Sequence, residues 1–172
     1  MFETWLSLVN IIDTVDNIIV GALAASLIIS WKNIAARWLL MIYFLLEWAD
    51  LILSDWSRTM PIGFYAWCML LCVVFAAVIW WRHLIAYRFR QFEFFKQVYL
   101  QHKYTQLDKR LIYIFAFTFV VNLVTLIEVY LYSIWVLQDA WFKLNVRDVL
   151  HNAAQIAVSL VCLHYAYYAR RY

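Results

Sequence analysis

The residues of this chain best placed to handle an ion or a proton are five carboxylates and a histidine within or beside long apolar stretches. Carboxylates brought together in a low-dielectric environment must take up protons, bind a cation or remain hydrated. The set therefore predicts an acidic vestibule at one face of a membrane. Its members are Asp13, Asp16, Glu47, Asp50, Glu128 and His151.

Other reactive chemistry is not indicated by the sequence. Nucleophile elbows, glycine-rich phosphate loops and Cys-x-x-Cys pairs are absent. Asp148 and His151 have a spacing that suits either a cation ligand pair or an ordinary hydrogen-bonded pair, and no matched histidine pair suits haem. The three cysteines lie in apolar runs and are read as small core residues. We therefore expect no enzyme activity, no resident metal and no cofactor.

The composition of the chain indicates whether these residues lie in water or in a lipid bilayer. The chain has 172 residues, of which 67% are hydrophobic, 20% aromatic and 15% charged. A soluble domain has about 45–50% apolar and about 25% charged residues, so this chain carries more apolar surface than a soluble fold could bury. Disorder, nucleic-acid binding and an ordinary soluble domain are excluded, and a single membrane domain over residues 1–172 is expected.

Five apolar stretches are long enough to cross about 30 Å of hydrocarbon as helices, and they predict an all-α, polytopic membrane protein. Asp13 and Asp16 interrupt the start of the first stretch, so a four-span arrangement follows if that segment lies on the membrane surface. The predicted spans are Ile11–Trp31, Ile34–Ser54, Pro61–Trp81, Leu111–Leu137 and Val146–Ala169.

The distribution of charge predicts the orientation. Eleven of the fourteen basic residues fall on one side of the five spans, whereas nine of the eleven acids fall on the other. Basic residues stay in the cytoplasm, so the N-terminus is predicted outside and the C-terminus inside. No basic residue precedes Lys32, so we expect no cleaved signal peptide. A bacterial inner membrane is the expected location.

Polar residues recur every three or four positions in four of the five spans, which places them on one face of each helix. The stripe of the first span consists of Asn10, Asp13, Asn17 and Gly21, and that of the fourth runs from Thr118 through Asn122 to Tyr132. The fifth continues from Asp148 through His151 and Gln155. The third span has no charge, so it is predicted to lie outermost or at a subunit contact. The stripes suit either a polar pathway or hydrogen bonds that specify helix packing.

The segment 82–110 interleaves basic and aromatic residues and has no glycine or proline, so it is predicted to be helical and cytoplasmic. It either continues the third span or lies along the headgroups, where its bases bind anionic lipid or a cytoplasmic protein. Lys96, Lys103 and Arg110 recur every seven residues and are expected on one face. The candidate lipid- or partner-binding bases are Arg82, Arg88, Arg90, Lys96, Lys103 and Arg110.

Two functions fit these patterns. In the first, an oligomeric protein forms or gates a cation or proton pathway between subunits, with the acids attracting the ion and Asn122, Gln155 and His151 supplying polar steps. In the second, the stripes are internal packing contacts of a non-conducting assembly protein, such as an accessory subunit, an immunity or exclusion factor, or an effector partner. Membrane lipids, further copies of the chain and a protein partner are the expected contacts.

Overall fold

The computed structural model describes residues 18–60, 62–100 and 105–171, and these residues are helical with short connections and no strand. This confirms the all-α prediction. The low content of helix-breaking residues, two glycines and one proline, accounts for the long helices. The described residues form six α-helices: α1 (Ile18–Ile29), α2 (Ile34–Arg58), α3 (Gly63–Arg88), α4 (Glu93–Leu100), α5 (Gln106–Ser133) and α6 (Asp148–Arg171).

Within the described residues, three helices are long and apolar enough to cross a membrane: Gly63–Arg88, Gln106–Ser133 and Lys143–Ala169. The third of these consists of a π-helical turn, Lys143–Arg147, followed by α6. Helix α2 has 25 residues, but Arg37, Glu47 and Asp50 interrupt its apolar stretch.

The long helices pack in alternating directions, so two ends of the molecule can be named. At the basic end α2 begins, α3 ends and α5 begins. At the acidic end α2 ends, α3 begins, α5 ends and the π-helical turn leads into α6. A single apolar cluster runs through the middle and draws residues from α1, α2, α3, α5 and α6. In its centre Phe75 and Phe115 stack 4.9 Å apart, and Tyr43 meets both rings edge-on.

Helix α3 packs along α5 in the most extensive helix contact among the described residues and also contacts α2 and α4. Of the three helices in the described residues that could cross a membrane, it has the smallest buried share, so its place as the outermost span or at a subunit contact stays a prediction. The third span is longer than its apolar run. Residues 82–88 continue the helix beyond Trp81, and the first of them, Arg82, is buried.

Helix α1 buries one face and exposes the other. Ile19, Leu23, Ser26 and Ser30 are buried, whereas Gly21, predicted to belong to the polar stripe, is exposed. The remaining members of that stripe, Asn10, Asp13 and Asn17, lie outside the described residues.

The ends of α5 differ from the predicted bounds because local hydrogen bonds define them. Thr105 and Asp108 form a capping box that starts the helix five residues before Leu111. At the other end, Val136 N–H donates to the Leu131 carbonyl (3.0 Å) and Trp135 N–H to the Tyr132 carbonyl (3.1 Å). This is a Schellman motif, and it stops α5 at Ser133 instead of Leu137.

Candidate functional site

The basic end is held together by a buried ion pair. Arg82 Nη2 lies 2.9 Å from Asp108 Oδ2, and the two side chains are 2% and 0% exposed. The same carboxylate oxygen accepts from the Thr105 backbone N–H (2.6 Å) and hydroxyl (2.9 Å), while Arg82 Nη1 donates to the Tyr165 hydroxyl (3.4 Å). The pair therefore joins α3, α5 and α6 at one point.

This arrangement corrects the prediction for Arg82. A guanidinium that is buried and bonded to Asp108 cannot reach lipid headgroups or a protein partner. The sequence carried a signal for the acid: Thr105 and Asp108 have the spacing of a capping box just before an apolar run. Nothing in the sequence indicated that Arg82, 26 residues earlier, would meet it.

The remaining bases of segment 82–110 lie on separate elements. Arg88 ends α3, Arg90 lies in the turn after it, Lys96 lies on α4, and all three are exposed. Arg110 belongs to α5, so the prediction that it shares one helical face with Lys96 is wrong. The turn at residues 89–92 and the start of α5 divide the segment, and Lys103 lies outside the described residues.

Helix α4 is fixed by aromatic packing. Trp38 of α2 meets Phe94 and Phe95 edge-on, with ring centroids 6.1 and 4.9 Å apart. Val98 and Ala86 complete this small buried cluster. The exposed bases near α4 are therefore carried on a rigid surface. We call Arg88, Arg90 and Lys96 the α4 basic surface.

At the acidic end, Glu128 caps a helix. Its two carboxylate oxygens accept the backbone N–H groups of Phe142 and Lys143, each at 2.7 Å. The helix begins at Trp141, so these are the second and third N–H groups, which have no partner within the helix. The preceding residue, Ala140, has no side-chain acceptor, and Glu128 supplies one from α5.

Two acids of α2, Glu47 and Asp50, bind neutral donors. Glu47 Oε1 accepts from the Tyr43 hydroxyl one turn earlier (2.8 Å), and Asp50 Oδ1 accepts from the Trp67 indole N–H of α3 (3.0 Å). Both side chains are half-buried. Glu47, Asp50 and Glu128 thus lie toward the same end of the bundle. Each binds a different kind of donor: a hydroxyl, an indole N–H and backbone N–H groups, respectively.

A base, Arg147, also lies at the acidic end. Arg147 Nη1 pairs with Asp148 Oδ1 at 2.8 Å, and the guanidinium lies 5.2 Å from the ring centroids of Phe64 and Tyr65. One turn further, His151 is half-buried, and its Nδ1 has no hydrogen-bond partner among the described residues. Gln155 is half-buried on the next turn.

The polar stripe of α5 faces the protein interior, as predicted for Thr118, Asn122 and Thr125. Asn122 and Thr125 are 0% exposed. Each of the three donates to a backbone carbonyl four residues earlier in its own helix, at 2.8–3.0 Å. Tyr132, the last member of the predicted stripe, is 48% exposed and lies outside the buried face.

Two cavities stand out in the described part of the chain, and both are lined by apolar side chains. One is enclosed in the core around Tyr43 and Phe115 and has a volume of about 20 Å³. The other is an open groove of about 500 Å³ between α3 and α5. Neither is lined by the predicted ion-pathway acids.

Asp13 and Asp16, predicted at the entrance of the vestibule, lie outside the described residues. Among the residues that the structure describes, no three or more His, Cys, Asp or Glu side chains are grouped closely enough to hold a metal ion. Comparison with protein-family models, curated proteins and solved structures gave no match for this chain.

Proposed function

We propose that this chain is a non-conducting membrane protein that assembles with a partner through its basic end. It crosses a bacterial inner membrane five times, with the N-terminus outside and the C-terminus in the cytoplasm. The observation that carries the proposal is the use of the polar residues: the α5 stripe bonds to its own backbone, Glu128 caps a helix, and Arg82 and Asp108 pair. These are structural roles.

The size of the enclosed cavity supports the same conclusion. A volume of about 20 Å³ has room for about one water molecule, and its apolar lining offers that water no set of partners. A conduction path through one subunit requires a continuous row of hydrated or ion-coordinating groups.

The α4 basic surface supplies the docking face in this proposal. Rigid presentation lowers the entropy lost on binding, and the packing of Trp38 against Phe94 and Phe95 provides that rigidity. Arg37 and Arg90 lie over aromatic rings within about 5 Å, so their guanidinium groups are also positioned. An acidic cytoplasmic segment of a membrane partner has the matching charge.

The test is a flux assay on purified protein in liposomes, with subunit number measured on the same sample. We expect cation and proton flux no greater than that of empty liposomes. We also expect no change in flux for Glu47→Ala, Asp50→Ala or Glu128→Ala. Cation flux that is lost in these variants would contradict the proposal.

Docking is tested separately by site-specific photo-crosslinking in cells. A photo-reactive residue in place of Gln97 on α4 should give a discrete adduct, and the charge reversal Arg88→Glu with Arg90→Glu should abolish it. Lys143→Glu, a charge reversal at the opposite end of the bundle, is the matched control and should leave the adduct unchanged. Loss of the adduct in both variants would contradict docking at the α4 basic surface.

A cation or proton pathway between subunits is the second candidate. It is favoured by Glu47 and Asp50, which accept hydrogen bonds from the neutral donors Tyr43 and Trp67 and remain half-exposed. A path between copies could use these acids and His151. Asn122 is fully buried within the bundle, so its part in such a path requires the helices to separate. A closed ring of subunits with acid-dependent flux would establish this alternative.

A further inference from the structure

The groove between α3 and α5 is an apolar surface of the fold whose occupant the functions above do not specify. Its floor is lined by three small side chains, those of Ala76, Ala77 and Ala116. Its rims are raised by large side chains that are themselves exposed, including Trp81 at 55% and Val120 at 53%. The groove thus has the concave shape of a binding site.

The length of the groove matches one leaflet of a bilayer. It extends along α3 from Cys72 to Trp81, nine residue steps that cover about 14 Å at about 1.5 Å per residue. Half of a hydrocarbon core of about 30 Å is about 15 Å. A single acyl chain of one leaflet therefore has the reach to fill the groove from end to end.

In the part of the chain that the structure describes, exposed cations lie at one end of this groove. The ion pair of Arg82 with Asp108 fixes the register of the two helices, so the neighbouring Lys109 and Arg110 lie level with the Trp81 end. Both bases are exposed, and neither forms an ion pair within the described part of the chain. Trp80 and Trp81 at the same level are residues that favour the headgroup region.

We propose that this groove binds one acyl chain of an anionic phospholipid, with Lys109 and Arg110 holding its phosphate. The cations select the charge of the headgroup, and the alanine floor accommodates the chain. The site does not depend on whether the protein conducts ions.

A second copy of the chain fits the groove less well. In a twofold dimer about the membrane normal, the same patch meets itself. Two concave faces then oppose each other, and the bases of both copies lie at the same height, where like charges repel. A flexible lipid tail with a negative headgroup complements both the shape and the charge.

The charge requirement is tested by native mass spectrometry of detergent-purified protein titrated with phosphatidylglycerol or phosphatidylcholine. We expect the wild type to retain more phosphatidylglycerol than phosphatidylcholine. Each removed base, in Lys109→Gln and Arg110→Gln, should weaken that lipid by about fivefold, because a juxtamembrane base contributes about that factor near an anionic surface. Lys32→Gln removes an exposed charge that neither α3 nor α5 carries and should have no effect on this site.

The shape requirement is tested by filling the groove. Ala76→Leu and Ala116→Leu should reduce the bound fraction of either lipid, whereas Ala153→Leu, an exposed alanine on α6, should not. Thermal unfolding of each variant verifies the fold, and the two surface glutamine variants keep the test valid if a leucine variant does not fold.

Three results would overturn the proposal. The first is equal retention of the two lipids by the wild type. The second is unchanged affinity for phosphatidylglycerol in the double glutamine variant. The third is a disulfide-linked dimer of Val73→Cys in membranes, because a second copy would then cover the groove.

Discussion

The two ends of the bundle accommodate carboxylates in different ways. At the basic end, Asp108 is fully buried and is compensated by the full charge of Arg82. At the acidic end, Glu128 is half-buried and is compensated by two backbone N–H groups at the start of a helix. One carboxylate is paired with an ion, the other with the partial positive charge of a helix N-terminus.

The comparison indicates how strongly each acid depends on its partners. A buried charge without its counter-ion has no alternative source of solvation, so either member of the Arg82 pair requires the other. Glu128 retains contact with its surroundings and can be solvated if the helix end frays. The basic end should therefore be the more sensitive to substitution.

Removing one partner of the buried ion pair should have the largest effect. Arg82→Met or Asp108→Leu alone leaves an uncompensated buried charge, and we expect each to lower the free energy of unfolding by about 3–5 kcal/mol. The double variant should recover much of that loss because both charges are gone. Steric-trapping measurements in bicelles would report these values. Additive losses in the double variant would show that the two residues do not act as a pair.

Removing the cap at the acidic end should have a smaller effect. Glu128→Ala leaves the N–H groups of Phe142 and Lys143 without their acceptor, and we expect a loss of about 1–2 kcal/mol in the free energy of unfolding. Hydrogen exchange should show the first turn after Trp141 fraying locally. Tyr132→Ala, an exposed position on the same helix, is the control. A loss as large as that of Arg82→Met would remove the contrast between the two ends.

The turn after α5 should be relieved by glycine. Trp135 has a φ of 62° at the position of the Schellman motif where glycine is usual, and its side chain is 90% exposed. The left-handed conformation costs a non-glycine residue about 1–2 kcal/mol. We therefore expect Trp135→Gly to raise the free energy of unfolding by about 1 kcal/mol. A decrease would show that the exposed indole stabilises the protein through lipid contact.

The neutral donors at the acidic end should contribute least. Tyr43→Phe and Trp67→Phe each remove one hydrogen bond to a half-exposed carboxylate. Hydrogen bonds within membrane proteins average about 0.6 kcal/mol, and we expect losses of that size in the free energy of unfolding. A loss above about 2 kcal/mol would show that these acids depend on their partners as strongly as Asp108 depends on Arg82.

Sequence periodicity predicted the inward face of α5 because burial in a helix repeats every three or four residues. Thr118, Asn122 and Thr125 are buried on that face. The same reasoning failed for Tyr132, since the face of a helix near its end depends on what packs there.

The membrane environment and the helical secondary structure follow from the amino-acid sequence alone. Its apolar content, long uninterrupted runs and scarcity of glycine and proline left helices of membrane length as the stable arrangement, since every backbone group must be bonded within the segment. The capping box of Thr105 with Asp108 was also readable, because its residues are three positions apart. These are local properties, and they follow from neighbouring residues alone.

Which polar residues contact each other depends on the tertiary structure. Arg82 and Asp108 are 26 residues apart, and Glu128 lies 14 residues before the first N–H group that it caps. The groove between α3 and α5 exists because alanines on two separate helices come to lie at the same level. Such partners are set by the register of one helix against another. Helix periodicity predicts the direction in which a side chain points, but it does not predict which residue lies opposite.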